Sequence, residues 1–195
     1  PLRACVSSQI KNLMFAGRNL SATHVAFGST RVMATCAAVG QGVGTAAAYA
    51  AHNDCLPADL ASTPELLRRI QQRLLRDDAF LLGRINLDPD DLAREASVSA
   101  SSAQPGGPAS AILSGITRAT HGLGGAPPNR AVPSAHRWMS DPAAGFPAWL
   151  KLQWERPILP REVQLVFDTG LHRPLTLTHS DAYAQRMVWG VPQPE

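Results

Sequence analysis

Gly17-Arg18 and Gly28-Ser29-Thr30-Arg31, with His24 between them, are the residues whose types and spacing suit chemistry. A helix opening at Ser29 or Thr30 would present unpaired N–H groups and about half a positive charge to whatever lies before it. Arg31 adds a full positive charge, and Arg18 supplies another just upstream. That combination suits an anion or an electron-rich ring on which negative charge develops. His24 is the one nearby side chain that exchanges a proton near neutral pH. The residue types leave open whether it does so or is a loop histidine satisfied by backbone.

The elements needed to position these groups can be read from the surrounding pattern. Leu13-Met14-Phe15-Ala16 has the length and apolarity of a short buried strand of a parallel sheet, and Gly17 ends it with a sharp turn. From Arg31 to about Ala51 the pattern is helical, with Ser29 or Thr30 as N-cap. No charge interrupts Val32 to Ala51, but small residues outnumber large apolar ones there, which indicates a buried helix rather than a membrane span. Gly40, Gly42 and Gly44 each cost about 1 kcal/mol of helix propensity relative to Ala. Another backbone or a flat ligand is therefore expected very close, and for Gly40 and Gly44 the expectation is tight packing of helix on sheet.

Pro57 breaks the pattern, and Thr63 then caps a helix that opens at Pro64 and runs to about Arg76. Leu66, Leu67, Ile70, Leu74 and Leu75 form its apolar stripe. Arg68, Arg69, Gln72, Arg73 and Arg76 form the opposite face, most simply a solvated one, with an anion site as the lesser alternative. After Leu92 the composition shifts to Ser, Thr and Pro with short alternating runs. Ala148, Leu150, Leu152 and Trp154 fall on one face of a strand and Trp149, Lys151 and Gln153 on the other. Val163, Leu165 and Phe167 repeat the period of two, as do Leu175 and Leu177, which predicts an antiparallel sandwich. The segment from Ser102 to Pro108 reads as a loop within it.

A chain of 195 residues with 45% hydrophobic and 17% charged content can bury a core in one large or two small domains. The net charge of +3 comes without the clustered basic stripe and interleaved aromatics of a nucleic-acid binder. Cys5, Cys36 and Cys55 form no CxxC pair and have no zinc-like spacing with the six histidines, so neither a metal site nor a disulfide framework is expected. The odd count is compatible with a reducing compartment without establishing one.

The segment Asn12 to His24, followed by Gly28-Ser29, Arg31-Val32-Met33, Thr35-Cys36 and Gly40-Gln41-Gly42-Val43-Gly44-Thr45-Ala46-Ala47, closely resembles the C-terminal flavin segment of a bacterial family of FAD-dependent oxidoreductases. The likeness extends to Pro1-Leu2-Arg3 and, weakly, to Arg73-Leu74-Leu75-Arg76-Asp77. It implies that a strand-end loop and the next helix reach the isoalloxazine ring. The flavin contacts it implies are Gly17, Arg18, Asn19, Ser21, His24, Ser29, Arg31, Val32 and Met33, with His24 or Arg31 handling the substrate proton or anion. Such proteins hold the ADP half of FAD on a strand, a GxGxxG turn and a helix. No such unit occurs here, because Gly40, Gly42 and Gly44 lie within a helical pattern, so the chain alone is expected not to retain FAD tightly and to be inactive.

Asp91 to Ser102, Arg137-Trp138-Met139-Ser140-Asp141, and Pro147 to Leu152 leading to Val163 to Asp168 resemble a discoidin-like, galactose-binding-like jelly roll. That likeness implies a β-sandwich that binds sugars, lipids or proteins, or simply packs against a catalytic domain. Trp138 and Trp149 are candidates for stacking on a carbohydrate, with the sandwich core the favoured place for Trp138, and His121, His136, His172 and Arg173 are candidate loop contacts for which a structural role is favoured. The chain opens on Pro1 and closes on Gly190 to Glu195 without a terminal element, so it is expected to continue upstream and the sandwich to lack its last strands.

The expected architecture is therefore α+β and multidomain: a partial FAD-binding α/β segment at 1–56, a helical connector at 57–90, and an incomplete jelly-roll-like sandwich at 91–195. The expected function is a portion of an FAD-dependent oxidoreductase acting on a small-molecule substrate and completed by a dinucleotide-binding region of the same protein. The reaction would be hydride removal from a CH–OH or CH–NH group, or reduction of an activated double bond. The alternatives are a carbohydrate or surface-binding module on a non-catalytic helical scaffold, and a structural accessory region.

Overall fold

Alanine is the strongest helix former, and the Ala-rich run after Val32 folds accordingly into a 20-residue helix, α2 (Met33–His52), preceded by the short α1 (His24–Thr30). The computed structural model describes residues 1–116 and 136–167. The chain divides into two units, Pro1–Ala79 and Phe80–Glu195, each considered by itself.

In the first unit, α2 packs against α3 (Pro57–Ser62) and α4 (Pro64–Arg76). Val43, Ala46 and Ala50 recur at helical spacing and are buried, facing a core completed by Cys5, Leu60, Ile70, Leu74 and Leu75. Ala46 and Leu60 are fully sealed. Burial raises the Cys5 thiol above its ordinary pKa, keeping it neutral. The α4 stripe is as the sequence predicts, with Leu66 and Leu67 half-buried at its start. Thr63 flanks α4 without a side-chain cap, so only its carbonyl serves, accepting from the Leu67 N–H at 3.0 Å. Pro57, expected as a break, instead opens α3: the first helical position needs no N–H, and proline's fixed φ suits it.

Two further expectations are corrected. Leu13 to Ala16 does not form a parallel strand. It makes one antiparallel bridge, Val6 to Met14, supported by Phe15 N–H donating to the Cys5 carbonyl at 2.7 Å and Ser7 N–H donating to the Leu13 carbonyl at 3.0 Å. Among the described residues of this unit no neighbouring strand extends the pairing, so the run closes back on the turn Leu2–Cys5. Gly40 and Gly44 are not packed on a sheet either: a Cβ added at either would meet no atom within 4 Å. The fully buried residues of α2 all lie in its C-terminal half. The N-terminal half propagates from there, each further residue adding one hydrogen bond.

In the second unit, β1 (Ser97–Ala100) pairs antiparallel with β2 (Leu150–Gln153), Ser97 opposite Gln153 and Ala100 opposite Leu150. The alternation along the second strand is as expected: Leu150, Leu152 and Trp154 are half-buried, and Trp149, Lys151 and Gln153 are exposed. Indole N–H groups brace the loops, Trp154 donating to the Leu92 carbonyl at 2.7 Å and Trp138 to the Ser102 carbonyl at 2.8 Å. The loop between Ser102 and Pro108 is tied to the segment after Trp138, with Met139 N–H donating to the Gly107 carbonyl at 3.1 Å. Gly107 has no space for a side chain there, since a Cβ would lie 2.9 Å from the Met139 backbone nitrogen.

Among the described residues this is one two-stranded sheet rather than the two facing sheets of a sandwich. Val163, Leu165 and Phe167 do not form the expected strand; they are exposed and outside any ladder among the described residues. His121, Asp168, His172, Arg173, Leu175, Leu177 and the segment Gly190 to Glu195 lie outside the described residues. The observed class is α+β, helices with a small antiparallel sheet.

Urea denaturation separates the two kinds of glycine. Gly44→Ala should raise the stability of the first unit by about 1 kcal/mol, because the site is open and alanine restores helix propensity. Gly107→Ala should lower that of the second by about 1–3 kcal/mol through overpacking against backbone. Tryptophan fluorescence reports the second unit, where all four tryptophans reside, and far-UV circular dichroism the helices of the first.

Candidate functional site

Gly17 takes φ +94°, a left-handed conformation that side chains disfavour, and so turns the chain after the bridge. The loop that follows carries Arg18, Asn19 and Ser21, all exposed. Ser21 N–H donates to the Ala4 carbonyl at 2.8 Å, fastening the loop to the Leu2–Cys5 turn. The Arg18 guanidinium lies 5.8 Å from the centroid of the Phe27 ring, a cation–π contact that ties the loop to α1.

The helix boundaries differ from those expected. Thr23, not Ser29 or Thr30, is the first N-cap: its Oγ1 accepts from the Ala26 N–H at 3.3 Å and opens α1. Gly28, Ser29 and Thr30 form the last turn of α1, and the Thr30 hydroxyl donates to the Ala26 carbonyl at 3.3 Å. Arg31 is the C-cap of α1. Val32 then steps into extended backbone, φ −71° and ψ 143°, and serves as N-cap of α2. His24 and Arg31 consequently sit at opposite ends of α1, on one face and about 10 Å apart along the axis.

An apolar N-cap has a chemical consequence. Ser, Thr, Asp or Asn at that position would fold an oxygen onto the N–H of the second or third residue. Val32 has none, and Cys36 is the first residue whose N–H is taken up, by the Val32 carbonyl at 2.9 Å. The N–H groups of Met33, Ala34 and Thr35 therefore point out of the helix at its positive end. Val32 and Met33 are exposed beside them, Met33 at 87%, giving an apolar rim. Arg31 stands next to the terminus, and no acidic residue precedes Asp54 in the chain. With its N–H donors uncapped, the terminus can receive the electron-rich edge of a flat ring or another anion.

The structure thus joins Arg31, Val32 and Met33 at one helix end and links Arg18 to α1 through Phe27, while His24 lies two turns away. Sequence reading missed Phe27, Thr23 and the donors on Ala34 and Thr35. Thr23 was detectable as a polar residue opening the Val25-Ala26-Phe27 run, but Gly28-Ser29-Thr30 is the louder signal. Among the described residues no cluster of three or more His, Cys, Asp or Glu could hold a metal ion, and no helix is long and apolar enough to cross a membrane.

These features place a loop with two exposed polar side chains, Asn19 and Ser21, and an uncapped helix terminus within the first unit. Residues 1–74 match the family model described as FAD dependent oxidoreductase, which supports an FAD-dependent oxidoreductase segment at this end of the chain. No curated protein and no solved structure matches the chain.

Because α1 buries no residue, its persistence rests on its cap and on Phe27. Thr23→Ala should destabilise it by about 1 kcal/mol. Amide hydrogen exchange should then quicken several-fold in α1 and stay unchanged in α4.

Proposed function

We propose that residues 1–74 form the flavin-ring side of an FAD-dependent oxidoreductase. The observation that carries this reading is the uncapped terminus of α2, with free donors on Met33, Ala34 and Thr35 beside Arg31, inside a segment that matches the family. The residues fit the group: unpaired N–H donors suit the carbonyl and ring-nitrogen edge of the isoalloxazine, Val32 and Met33 supply apolar contact, and Arg31 adds a positive charge beside them. Bound FAD would accept or deliver a hydride.

The chain's own residues then have distinct tasks. The α2 terminus and Arg31 hold fixed dipoles and charge where negative charge grows, which lowers the barrier because they need not reorganise. Gly17, Arg18, Asn19 and Ser21 line the loop against the ring, with Arg18 held by Phe27, and Ser29 lies in the last turn of α1, two residues before Arg31. His24, exposed at the first position of α1, is the group that takes or returns the substrate proton. The substrate is a small molecule with a CH–OH or CH–NH group, or an activated double bond.

The ADP half calls for a strand, a GxGxxG turn and a helix, which this chain lacks. A dinucleotide-binding region of the same protein supplies it, packing on the small-residue face of α2 that includes Ala37, Gly40, Gly44 and Ala47.

A second reading concerns Phe80–Glu195. Trp149, 48% exposed, immediately precedes β2 and is followed along it by the exposed Lys151 and Gln153, the kind of aromatic and polar strip on which a sugar stacks. On this reading the ladder of β1 and β2 belongs to a jelly-roll sandwich that binds carbohydrate.

The protein purified with its dinucleotide-binding region should be yellow, and Arg31→Ala should weaken FAD retention about tenfold while Arg68→Ala leaves it unchanged. Flavin absorbance after gel filtration measures this. Unchanged retention in Arg31→Ala removes that residue from the site. A colourless protein after incubation with FAD, together with glycan binding that Trp149→Ala abolishes, favours the carbohydrate module.

A further inference from the structure

The flavin-side reading leaves unused the arginine-rich face of α4, and the structure gives part of that face a partner surface. Tyr49 and His52, with Thr45 and Ala48 a turn earlier on the same side of α2, oppose Arg69 and Arg73 of α4 across a cleft of about 550 Å³. On each helix these residues recur at three- or four-residue spacing, so two continuous stripes line one groove. The groove begins at Thr45, about 18 Å along the axis from Met33, and is thus separate from the α2 terminus.

The charges in the groove are not internally spent. Arg73 Nε donates to Asp77 at 2.9 Å, which orients the guanidinium and leaves its two terminal nitrogens for a further acceptor. Arg69, one turn earlier, has no hydrogen-bond or ion-pair partner among the described residues, and neither has the His52 ring. By contrast Arg68, on the same helix but outside the groove, is paired with Glu65. The opposing influence of the α2 carbonyl end is quenched locally: the Asn53 backbone and side-chain N–H groups both donate to the Tyr49 carbonyl, at 3.1 and 2.8 Å, and Cys55 N–H donates to that of Ala50 at 3.0 Å. Two guanidiniums against one carboxylate leave a net positive charge, with the His52 imidazole available as a third donor.

We propose that this groove is a binding site for a phosphate monoester of a small molecule with a flat, partly apolar body. Arg69 and the terminal nitrogens of Arg73 hold the phosphate oxygens through charge-assisted hydrogen bonds, for which the planar guanidinium fork is suited. The Tyr49 ring and the Ala48 methyl receive the body. The groove is open along one side, and its volume is several times what a bare phosphate fills. A phosphate monoester carries about −1.5 to −2 charges at pH 7, opposite in sign to the single net positive charge of the groove.

Phenyl phosphate is the probe, titrated into the 195-residue chain by calorimetry, with inorganic phosphate and phenol as separate arms. Saturable binding of phenyl phosphate is expected, about tenfold or more tighter than inorganic phosphate, with no saturation by phenol. Arg69→Gln should weaken it about tenfold, Tyr49→Ala should erase the advantage over inorganic phosphate, and Arg68→Gln should change nothing. Circular dichroism verifies that each exposed-site variant folds. Absence of saturation, equal binding of the two phosphates by the unaltered chain, or equal losses from Arg68→Gln and Arg69→Gln would overturn the proposal.

Discussion

The first unit depends on the one-sided clamp along α2. Val43, Ala46 and Ala50 are small or medium side chains, so α3 and α4 approach that flank closely and seal it with Leu60, Ile70 and Leu74. The fully buried residues of α2 all lie in its C-terminal half. The effect of the clamp reaches the other end because a helix is stiff and propagation is far easier than nucleation. Ten residues of which none is fully buried are thereby held helical, and the direction of the α2 terminus follows that of the clamped half. A site whose donors are backbone N–H groups needs this, since their direction is set only by the helix that carries them.

The distribution of charge follows the same division. Every cation before Asp54, namely Arg3, Lys11, Arg18 and Arg31, is free of acidic neighbours in sequence. In α4, by contrast, Glu65 and Asp77 take up Arg68 and Arg73. These are exposed i,i+3 and i,i+4 pairs, worth a few tenths of a kcal/mol each, so their main effect is to orient side chains. The α2 terminus is an uncompensated positive region, and the face of α4 is a largely balanced one with Arg69 left over.

Periodic patterns were legible in the sequence, and junctions were not. The α4 stripe and the two faces of β2 follow directly from spacing, because the same residues that repeat also meet the core. Gly17 was legible as a turn because glycine is the residue that takes φ +94° without strain. The start of α2 was not, because two polar runs, Thr23 and Ser29-Thr30, each qualify as a cap. Which one closes depends on whether the chain between them folds into a turn of helix, and the contact of Arg18 with Phe27 that supports that turn is not encoded in any period. The Leu13 to Ala16 run shows the same limit. Its apolarity marks extended backbone, but the partner strand is a tertiary fact, and here the partner is Val6.

The open faces of Gly40 and Gly44 carry the argument one step further. Each glycine costs about 1 kcal/mol relative to alanine in a helix interior, and within the first unit nothing lies near enough to need the missing methyl. With Ala37, Ala47 and Ala51 they form a strip of small residues along α2, headed by Met33 and turned away from Val43, Ala46 and Ala50. Packing inside the unit therefore does not account for the strip; the proposed dinucleotide-binding region would, because contact at glycine brings two main chains nearer than any larger residue allows. The strip begins at Met33, the residue that also opens the donor-bearing terminus. A body seated on it would cover the terminus as well, excluding water from the place where fixed dipoles act most strongly.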